Sequence, residues 1–453
     1  MGLLFVAKSY FCGSSILYAV HFAKTFIAAL LLSLPVFVVC QPKTAVQGGP
    51  VTRNVTAVEG KPYLILVSLD GFRWDYAERF QPPNLRKFIQ SGVQAESLVS
   101  SFPSKTFPNH YTIATGMYPD RHGLVDNNFF DHEKEQQYSI GNRKVVEDGT
   151  WYGGTPIWVQ AAKAGMVTAS FFFVGSEADV MGYRPTWYYR YDGSITNEQR
   201  VQQVLEWLAL PPAVRPHFIS LYFSDLDDAG HKFGPDNEEK IGNAIVKVDE
   251  ALRLLFEGVE NTGLPVNIII VSDHGMSPVS VDNFVPAELI YDNERYRTVN
   301  SGALAHLYLH EGVDRDSVLA DLKTREQNFT VHRTEEVPFF EAPPTHPRWG
   351  DLIVTANEGF YITSTRTIGT RKSSGNDTFG EHGFDPERKE MHGIFYAGGP
   401  ALKSGLTVPS FKNIHIYPLM CRILGLDIPE DVDGKLEVLK EVLKNGEDDP
   451  SSN

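Results

Sequence analysis

"KPYLILVSLD", residues 61–70, holds five consecutive apolar residues from Tyr63 to Val67, a serine, a leucine, and then a carboxylate. A strand with one wet face alternates polar and apolar residues. This run does not alternate, so it reads as a strand covered on both faces, as in a parallel sheet between helical layers. Comparable runs follow at 166–175 ("MVTASFFFVG"), 217–225 ("HFISLYFSD"), 266–273 ("VNIIIVSD") and 393–399 ("GIFYAGG"). Helical patterns separate them, among them Asn197 to Leu210 and Glu238 to Glu257. The alternation predicts an α/β fold with a mostly parallel central sheet and helices on both faces. No internal repeat or low-complexity block interrupts it.

Placing polar residues on these strands brings out a regularity. Asp70 closes the first run, Asp227 follows the third, and Asp273 with His274 closes the fourth. Open α/β sheets bind ligands beyond the carboxyl ends of their strands, so three carboxylates are expected along one edge.

The 453 residues are 42% hydrophobic, enough for a large core, and the net charge is -15. That charge disfavours a nucleic-acid duplex as partner. An anionic substrate would need a local attractor, and a bound cation would reverse the field there.

Residues 1–40 read as a separate object. Thr25 to Cys40 is apolar after Lys8 and Lys24, which fits a secretory signal. Extended back to Ile16, it also fits an uncleaved N-terminal anchor, interrupted by His21 and Lys24; an ordinary buried helix is the plainest alternative. Signal and anchor both place the rest of the chain outside the cytosol. Asn-x-Thr sequons at Asn54, Asn328 and Asn376 agree with that location. Cysteine usage does not support it, since only Cys421 follows the leader. Residues 41–60 are expected to be a linker, 61–440 the catalytic body and 441–453 an acidic polar tail. A monomer is expected.

In "DLDDAGHKFGP", Asp227 and His231 stand four apart, a spacing at which one turn of helix or a tight loop offers both to a metal. On spacing alone, a capping Asp and a surface His is the plainer reading. "VSDHGM" delivers Asp273 and His274 at a strand end, where the plainer alternative is an Asp satisfying a turn and a surface histidine; "FGEHGFD" holds His382 between glycines, with His392 competing for its role. His392, opening a strand in "EMHGIF", reads as structural. Together, Asp70, Asp227, Asp273, His231, His274 and His382 provide six ligands without a thiolate, enough for two divalent ions. The mix suits zinc better than calcium or magnesium.

A further ligand is Thr106, in "SFPSKTFPNHYTIATG" (101–116). Its hydroxyl is a poor nucleophile at neutral pH unless a metal supplies acidity. If "PNHYTIATG" begins a helix, Thr106 sits where free N–H groups favour an anion. The alternative is a plain helix cap. Lys105 adds positive charge or is simply solvated.

The segments "SLDGFRWDY", "FPSKTFPNHYTIATGMYPDRHGLVDN", "PIW", "DLDDAGHKFGP", "VSDHGM" and "GEHGFD" resemble, in order, those of the nucleotide pyrophosphatase/phosphodiesterases of the alkaline phosphatase superfamily. The likeness runs from about Lys61 to Leu426. It implies an alkaline phosphatase-like α/β/α fold and two Zn2+. Asp70, Thr106, Asp273 and His274 would bind the ion that activates the nucleophile, and Asp227, His231 and His382 the other. It also implies Asn127 as donor to a non-bridging phosphate oxygen and Phe107 and Tyr191 as the aromatic residues that hold a nucleobase. The family's Trp-Pro-Gly is replaced by Phe173, Val174 and Gly175, so Phe173 takes the place of the tryptophan.

The implied reaction is hydrolysis of phosphodiester and pyrophosphate bonds of extracellular nucleotides through a phosphothreonine at Thr106, releasing a nucleoside 5'-monophosphate. ATP, NAD and dinucleoside polyphosphates are the substrates to consider. The alternatives are a hydrolase of phosphate monoesters, phosphonates or choline phospholipids from the same superfamily, or a zinc-binding surface protein without catalysis. The cysteine-rich N-terminal modules and nuclease-like C-terminal domain of the longest members are missing, so the expectation is the catalytic domain alone.

Overall fold

The computed structural model describes residues 46–373, 375 and 377–444, and in it the run at 61–70 becomes a strand of a nine-stranded sheet. The expected leader at 1–40, the Asn376 sequon and the tail from 445 lie outside the described residues. In chain order the strands are β1 (Val46–Gln47), β2 (Tyr63–Leu69), β3 (Val93–Ala95), β4 (Thr168–Phe171), β5 (Trp187–Tyr189), β6 (Phe218–Phe223), β7 (Val266–Val271), β8 (Phe395–Gly398) and β9 (Leu406–Val408). Side by side they run β1-β5-β4-β6-β2-β7-β8-β3-β9. The five from β5 to β7 are parallel. β8 runs against both β7 and β3. The expected α/β architecture is therefore present, with its parallel part in the middle.

Two helical layers cover the sheet, and the unbroken apolar runs follow from that. Among the helices are α1 (Thr106–Thr115), α2 (Ile157–Lys163), α3 (Asn197–Leu208), α4 (Asp225–Phe233), α5 (Glu238–Thr262) and α6 (Ile416–Leu424). Leu64 and Leu66 of β2 pack into one core with residues of α1, α2 and α6; Ile65, Val67 and Leu69 pack into the other with residues of α3 and α5. On α5, Ile241, Ile245, Val248, Leu252, Leu255 and Val259 form the buried stripe at helical spacing. Burying one such aliphatic side chain contributes roughly 1.5–3 kcal/mol. Every residue of β2 is buried, so the strand end that carries Asp70 is a rigid position.

The linker expectation needs correction. Val46 and Gln47 pair with Tyr188 and Trp187 as an edge strand, and Val58 is buried. Val58 supplies the buried apolar side chain of this segment, while Val46 and Val55 stay exposed and the rest is held by backbone pairing. At the other end Val442 and Leu443 are buried, so packing runs past residue 440. No helix among the described residues is long and apolar enough to cross a membrane.

Between β7 and β8 the chain builds a second, antiparallel sheet from Tyr296–Asn300, Leu304–Leu309, Leu352–Ala356 and Phe329–Arg333, in that order. It leaves and rejoins the main body along a two-stranded ribbon in which Ser277–Ser280 pairs antiparallel with Thr378–Glu381, Ser277 opposite Glu381. That register returns the chain to the same sheet edge from which it left.

Candidate active site

The site lies at the carboxyl ends of β2, β6 and β7. Asp70 follows β2, and Gly71 then turns the chain at φ +65, a conformation that costs most residues strain. A Cβ at Gly71 would lie 2.9 Å from the Asp227 Cα, so glycine also permits the approach of α4. That approach is fixed by the Asp227 N–H donating to the Asp70 carbonyl at 3.2 Å. Within α4, Asp227 and His231 face the same way, with Oδ1 and Nε2 3.3 Å apart. The first turn of α4 holds Asp225, Asp227 and Asp228, where acidic groups suit the helix dipole.

Asp273 and His274 follow β7. The ribbon register then sets His382 against His274, their rings stacked with centroids 3.6 Å apart. Gly383 beyond it is at φ +108, and a Cβ there would meet the Lys105 side chain at 2.5 Å. Asp70 Oδ1 and Asp273 Oδ2 lie 3.5 and 3.0 Å from His274 Nε2. His231 Nε2 is 3.1 Å from His382 Nε2, which is 3.6 Å from Asp227 Oδ1. Three ligand groupings result: Asp70, Asp273 and His274; Asp227, His274 and His382; and His231, Glu381 and His382.

The donor chemistry fits divalent cations. Each of the three imidazoles has its Nδ1 on a backbone carbonyl: His231 on Gly380, His274 on Gly275 and His382 on Ser104, at 2.8–2.9 Å. A carbonyl only accepts, so each Nδ1 carries the proton and each Nε2 presents a lone pair inward. Asp70 Oδ1, Asp227 Oδ1 and Asp273 Oδ2 are buried and have no hydrogen-bond partner. Buried, unmatched acceptors crowded in this way repel one another, and a cation among them removes the penalty.

The electrostatics record the same crowding. Burial, followed by the charges of Asp273 and Asp227, pushes Asp70 well above the usual carboxylate range. Burial also raises Asp227, against the pull of His231 and His274. For Asp273 burial pushes up, but His274 and His110 outweigh it and hold the carboxyl well below its ordinary value. Burial lowers His274 while Asp273 and Asp227 raise it further, leaving it high; burial and the neighbouring cations hold His382 well below the histidine range.

Thr106 is the first residue of α1, and its Oγ1 stands 3.2 Å from His274 Nε2. The N-cap position is Lys105 and Thr106 is one residue inside the helix, so the plain cap reading does not apply. The Phe107 N–H donates to Asn127 Oδ1 at 2.9 Å, and Pro108 has no N–H, so of the first three helical residues only Thr106 keeps an uncommitted N–H. With its oxygen so bound, Asn127 keeps its amide nitrogen as the remaining donor of the side chain. Lys105 is not a solvated lysine: it is buried and pairs with Glu381 at 2.9 Å.

A cavity of about 270 Å3 joins this cluster to the expected base-binding side chains, with Asp70, Thr106, Phe107, Phe173, Tyr191 and Asp227 among its lining. Phe172, at φ +69 just after β4, turns the chain, and both it and Phe173 line the cavity wall. Phe173 also packs against His110 and Trp158, and Tyr191 is half exposed at the rim. His392 lies apart from the cluster, with Nδ1 on the Ser97 hydroxyl.

Several residues here escaped the sequence reading. His110 Nδ1 donates to the Thr106 carbonyl at 2.9 Å and lies 3.2 Å from Asp273 Oδ2, while the Ser68 hydroxyl holds its other nitrogen. Tyr222 donates to Asp70 Oδ2. Glu381 is beside His382 in sequence, a signal that could have been read. Asp126 carries the Asn127 loop: its Oδ1 accepts from the Asn127 N–H at 2.6 Å and its Oδ2 lies 3.0 Å from His306 Nε2 on the second sheet. Arg143 pairs with Glu177 on the cavity wall.

The family described as type I phosphodiesterase / nucleotide pyrophosphatase matches residues 64–385, a span that contains every ligand candidate above. The chain belongs to that family. Among curated relatives of this phosphodiesterase-family chain is a venom phosphodiesterase of Crotalus durissus collilineatus, 35% identical over 396 residues, covering 84% of this chain and 46% of the relative. Human ectonucleotide pyrophosphatase/phosphodiesterase family member 5 is 30% identical over 365 residues, covering 80% of this chain and 74% of the relative. The solved structure of murine family member 5 superposes with a TM-score of 0.77 at 30% identity and covers 84% of this chain and 100% of that one. The chain spans about half the length of the venom phosphodiesterases it matches.

Proposed function

We propose that the chain is a two-zinc hydrolase of phosphodiester and pyrophosphate bonds in nucleotides or their derivatives, acting through Thr106. The observation that carries this reading is the convergence of three partnerless carboxylate oxygens and three inward Nε2 lone pairs around a hydroxyl at a helix N-terminus. Family membership supports it, and one murine member-5 structure is of an inactive threonine-to-alanine variant in complex with AMP.

Asp70, Asp273, His274 and Thr106 would hold one zinc and Asp227, His231 and His382 the other. Bound there, the ions would supply Lewis acidity toward the phosphoryl oxygens and lower the pKa of hydroxyl and water. The Thr106 oxygen forms the new bond to phosphorus as the leaving oxygen departs in line, and its proton passes to solvent or the leaving group. The Asn127 amide donates to a non-bridging oxygen whose charge grows in the transition state. Phe107 and Tyr191 hold the base against the apolar cavity wall, with Phe173 filling that wall. Water then cleaves the phosphothreonine, giving a nucleoside 5'-monophosphate and restoring the hydroxyl.

An extracytosolic location is proposed from the leader at 1–40 and from relatives named as venom and ecto-enzymes. The test compares turnover of the nitrophenyl ester of thymidine 5'-monophosphate with that of nitrophenyl phosphate and nitrophenyl phosphocholine. The diester is expected to be the preferred substrate. Preference for either of the others replaces nucleotides by that substrate class; no turnover with a fully loaded metal site removes the catalytic reading.

A further inference from the structure

We propose that Asn328 carries an N-linked glycan and that Asn54 does not, although each heads an Asn-x-Thr sequon. The inference rests on the extracytosolic location put forward above. In this modification the carboxamide nitrogen attacks the anomeric carbon of a lipid-linked oligosaccharide, displaces lipid pyrophosphate and loses one proton. The acceptor amide thus keeps one N–H of two and gains a bulky, hydrated substituent.

Folding uses the Asn54 amide completely. Its two N–H groups donate to the carbonyls of Pro212 and Arg215, both at 2.8 Å, and its oxygen accepts from the Val167 N–H at 2.7 Å. One carboxamide therefore ties the segment before β2 to the turn after α3 and to the entry of β4. A sugar on that nitrogen removes at least one donor and occupies the volume of the 212–215 turn. The next residue adds a second tie, the Val55 N–H donating to the Gly165 carbonyl at 3.1 Å.

Asn328 is the opposite case. It is exposed, sits at φ +62 in the left-handed region that asparagine tolerates, and no described residue bonds its carboxamide. Its backbone is held independently, the carbonyl accepting from the Asn357 N–H at 2.9 Å. It immediately precedes Phe329–Arg333, one of the two edge strands of the second sheet. The Glu326 carboxylate accepts from the Val331 N–H at 2.8 Å and so covers part of this edge; an edge strand invites pairing with another chain, and a glycan rooted at its start adds to that shield.

The test is to express the full chain in insect cells, treat the purified, turnover-competent protein with a peptide N-glycosidase in heavy-oxygen water, and map the peptides. Label on Asn328 and none on Asn54 is expected. An occupied Asn54 in folded protein overturns the inference, as does a bare Asn328 in protein recovered from the medium or the membrane surface. Protein that stays in the cytosol with both sites bare overturns it too, while the turnover assay reports separately on the phosphodiesterase reading. Two variants complete the test. Asn54→Asp is expected to lower Tm by about 2 °C or more, because both donors are lost. Asn328→Gln is expected to keep Tm and turnover but lose the glycan and aggregate at lower protein concentration. A stable Asn54→Asp protein removes the structural half of the argument.

Discussion

At the scale of single residues, Thr106 and Asn127 have different tasks in the proposed reaction, and the difference can be measured. Thr106→Ala removes the proposed nucleophile but leaves all six carboxylate and imidazole ligands. Turnover is expected to fall about a thousandfold or more, with both metal ions retained in elemental analysis of the purified protein. Residual activity near that of the parent enzyme would take the nucleophilic role from Thr106. Asn127→Ala removes one donor to a developing charge, an effect usually of about 100- to 1000-fold in kcat. Because Asn127 Oδ1 also accepts from the Phe107 N–H, the same change loosens the entry of α1, and KM for nucleotide substrates should rise as well. An Asn127→Asp variant keeps the acceptor for Phe107 but sets a carboxylate against the phosphate, so it should lower kcat and raise KM by charge repulsion while leaving Tm closer to the parent value than Asn127→Ala does.

At the scale of elements, the site depends on how closely strand ends approach and on what holds the loops between them. Gly71→Ala places a methyl against the Asp227 backbone and puts alanine at φ +65. A loss of about 1–3 kcal/mol in stability is expected, together with weaker zinc binding in titration calorimetry. Unchanged zinc affinity would mean that the Asp70–Asp227 approach does not set the metal geometry. The Asn127 loop is held by the second sheet: His306 bonds the Trp349 carbonyl and Asp126, the Phe130 N–H donates to the Tyr308 hydroxyl, and Arg348 binds the carbonyls of Gly123 and Trp151 and the Asp131 carboxylate. His306→Ala is expected to cost roughly 10- to 100-fold in kcat with metal content intact, through misplacement of Asn127. A His306→Gln variant that restores part of that loss would tie the effect to the hydrogen bond. Elements differed in how far the sequence revealed them. Asp70, Asp273 and His274 were legible because unbroken apolar strands end on them. The four-stranded insertion was not, because its strands are short and the ribbon register that brings His382 onto His274 is a long-range pairing. His110 and His306 act through backbone carbonyls and carboxylates far away in sequence, a relation that spacing does not encode.

At the scale of the whole molecule, the fold stores histidines in neutral form, and this sets its response to acid. Burial is the leading cause that lowers the pKa of His122, His217, His332, His346, His392 and His415 below the ordinary value, in the case of His122 to about 3. His122 shows why: the Leu124 N–H donates to its Nδ1, so its Nε2 proton goes to the Thr112 hydroxyl, and a second proton at Nδ1 would break the backbone bond. As pH falls through about 6.5, the unfolded chain takes up protons at these positions before the folded chain does, and at His122 the folded chain takes one up only near pH 3. The unfolded state therefore binds more protons between pH 6.5 and 3, and stability falls as pH falls across that window. From His122 alone the slope is about 1.4 kcal/mol per pH unit, or about 2 kcal/mol between pH 6.5 and 5. Denaturant unfolding at saturating zinc, which keeps loss of the metal site from contributing, should show this decline beginning below pH 6.5. His122→Asn, which keeps a donor and an acceptor but cannot titrate there, should flatten the slope by the His122 share at some cost in stability at pH 7. An unchanged slope in that variant would show that His122 is already protonated in the folded protein, or exposed to solvent.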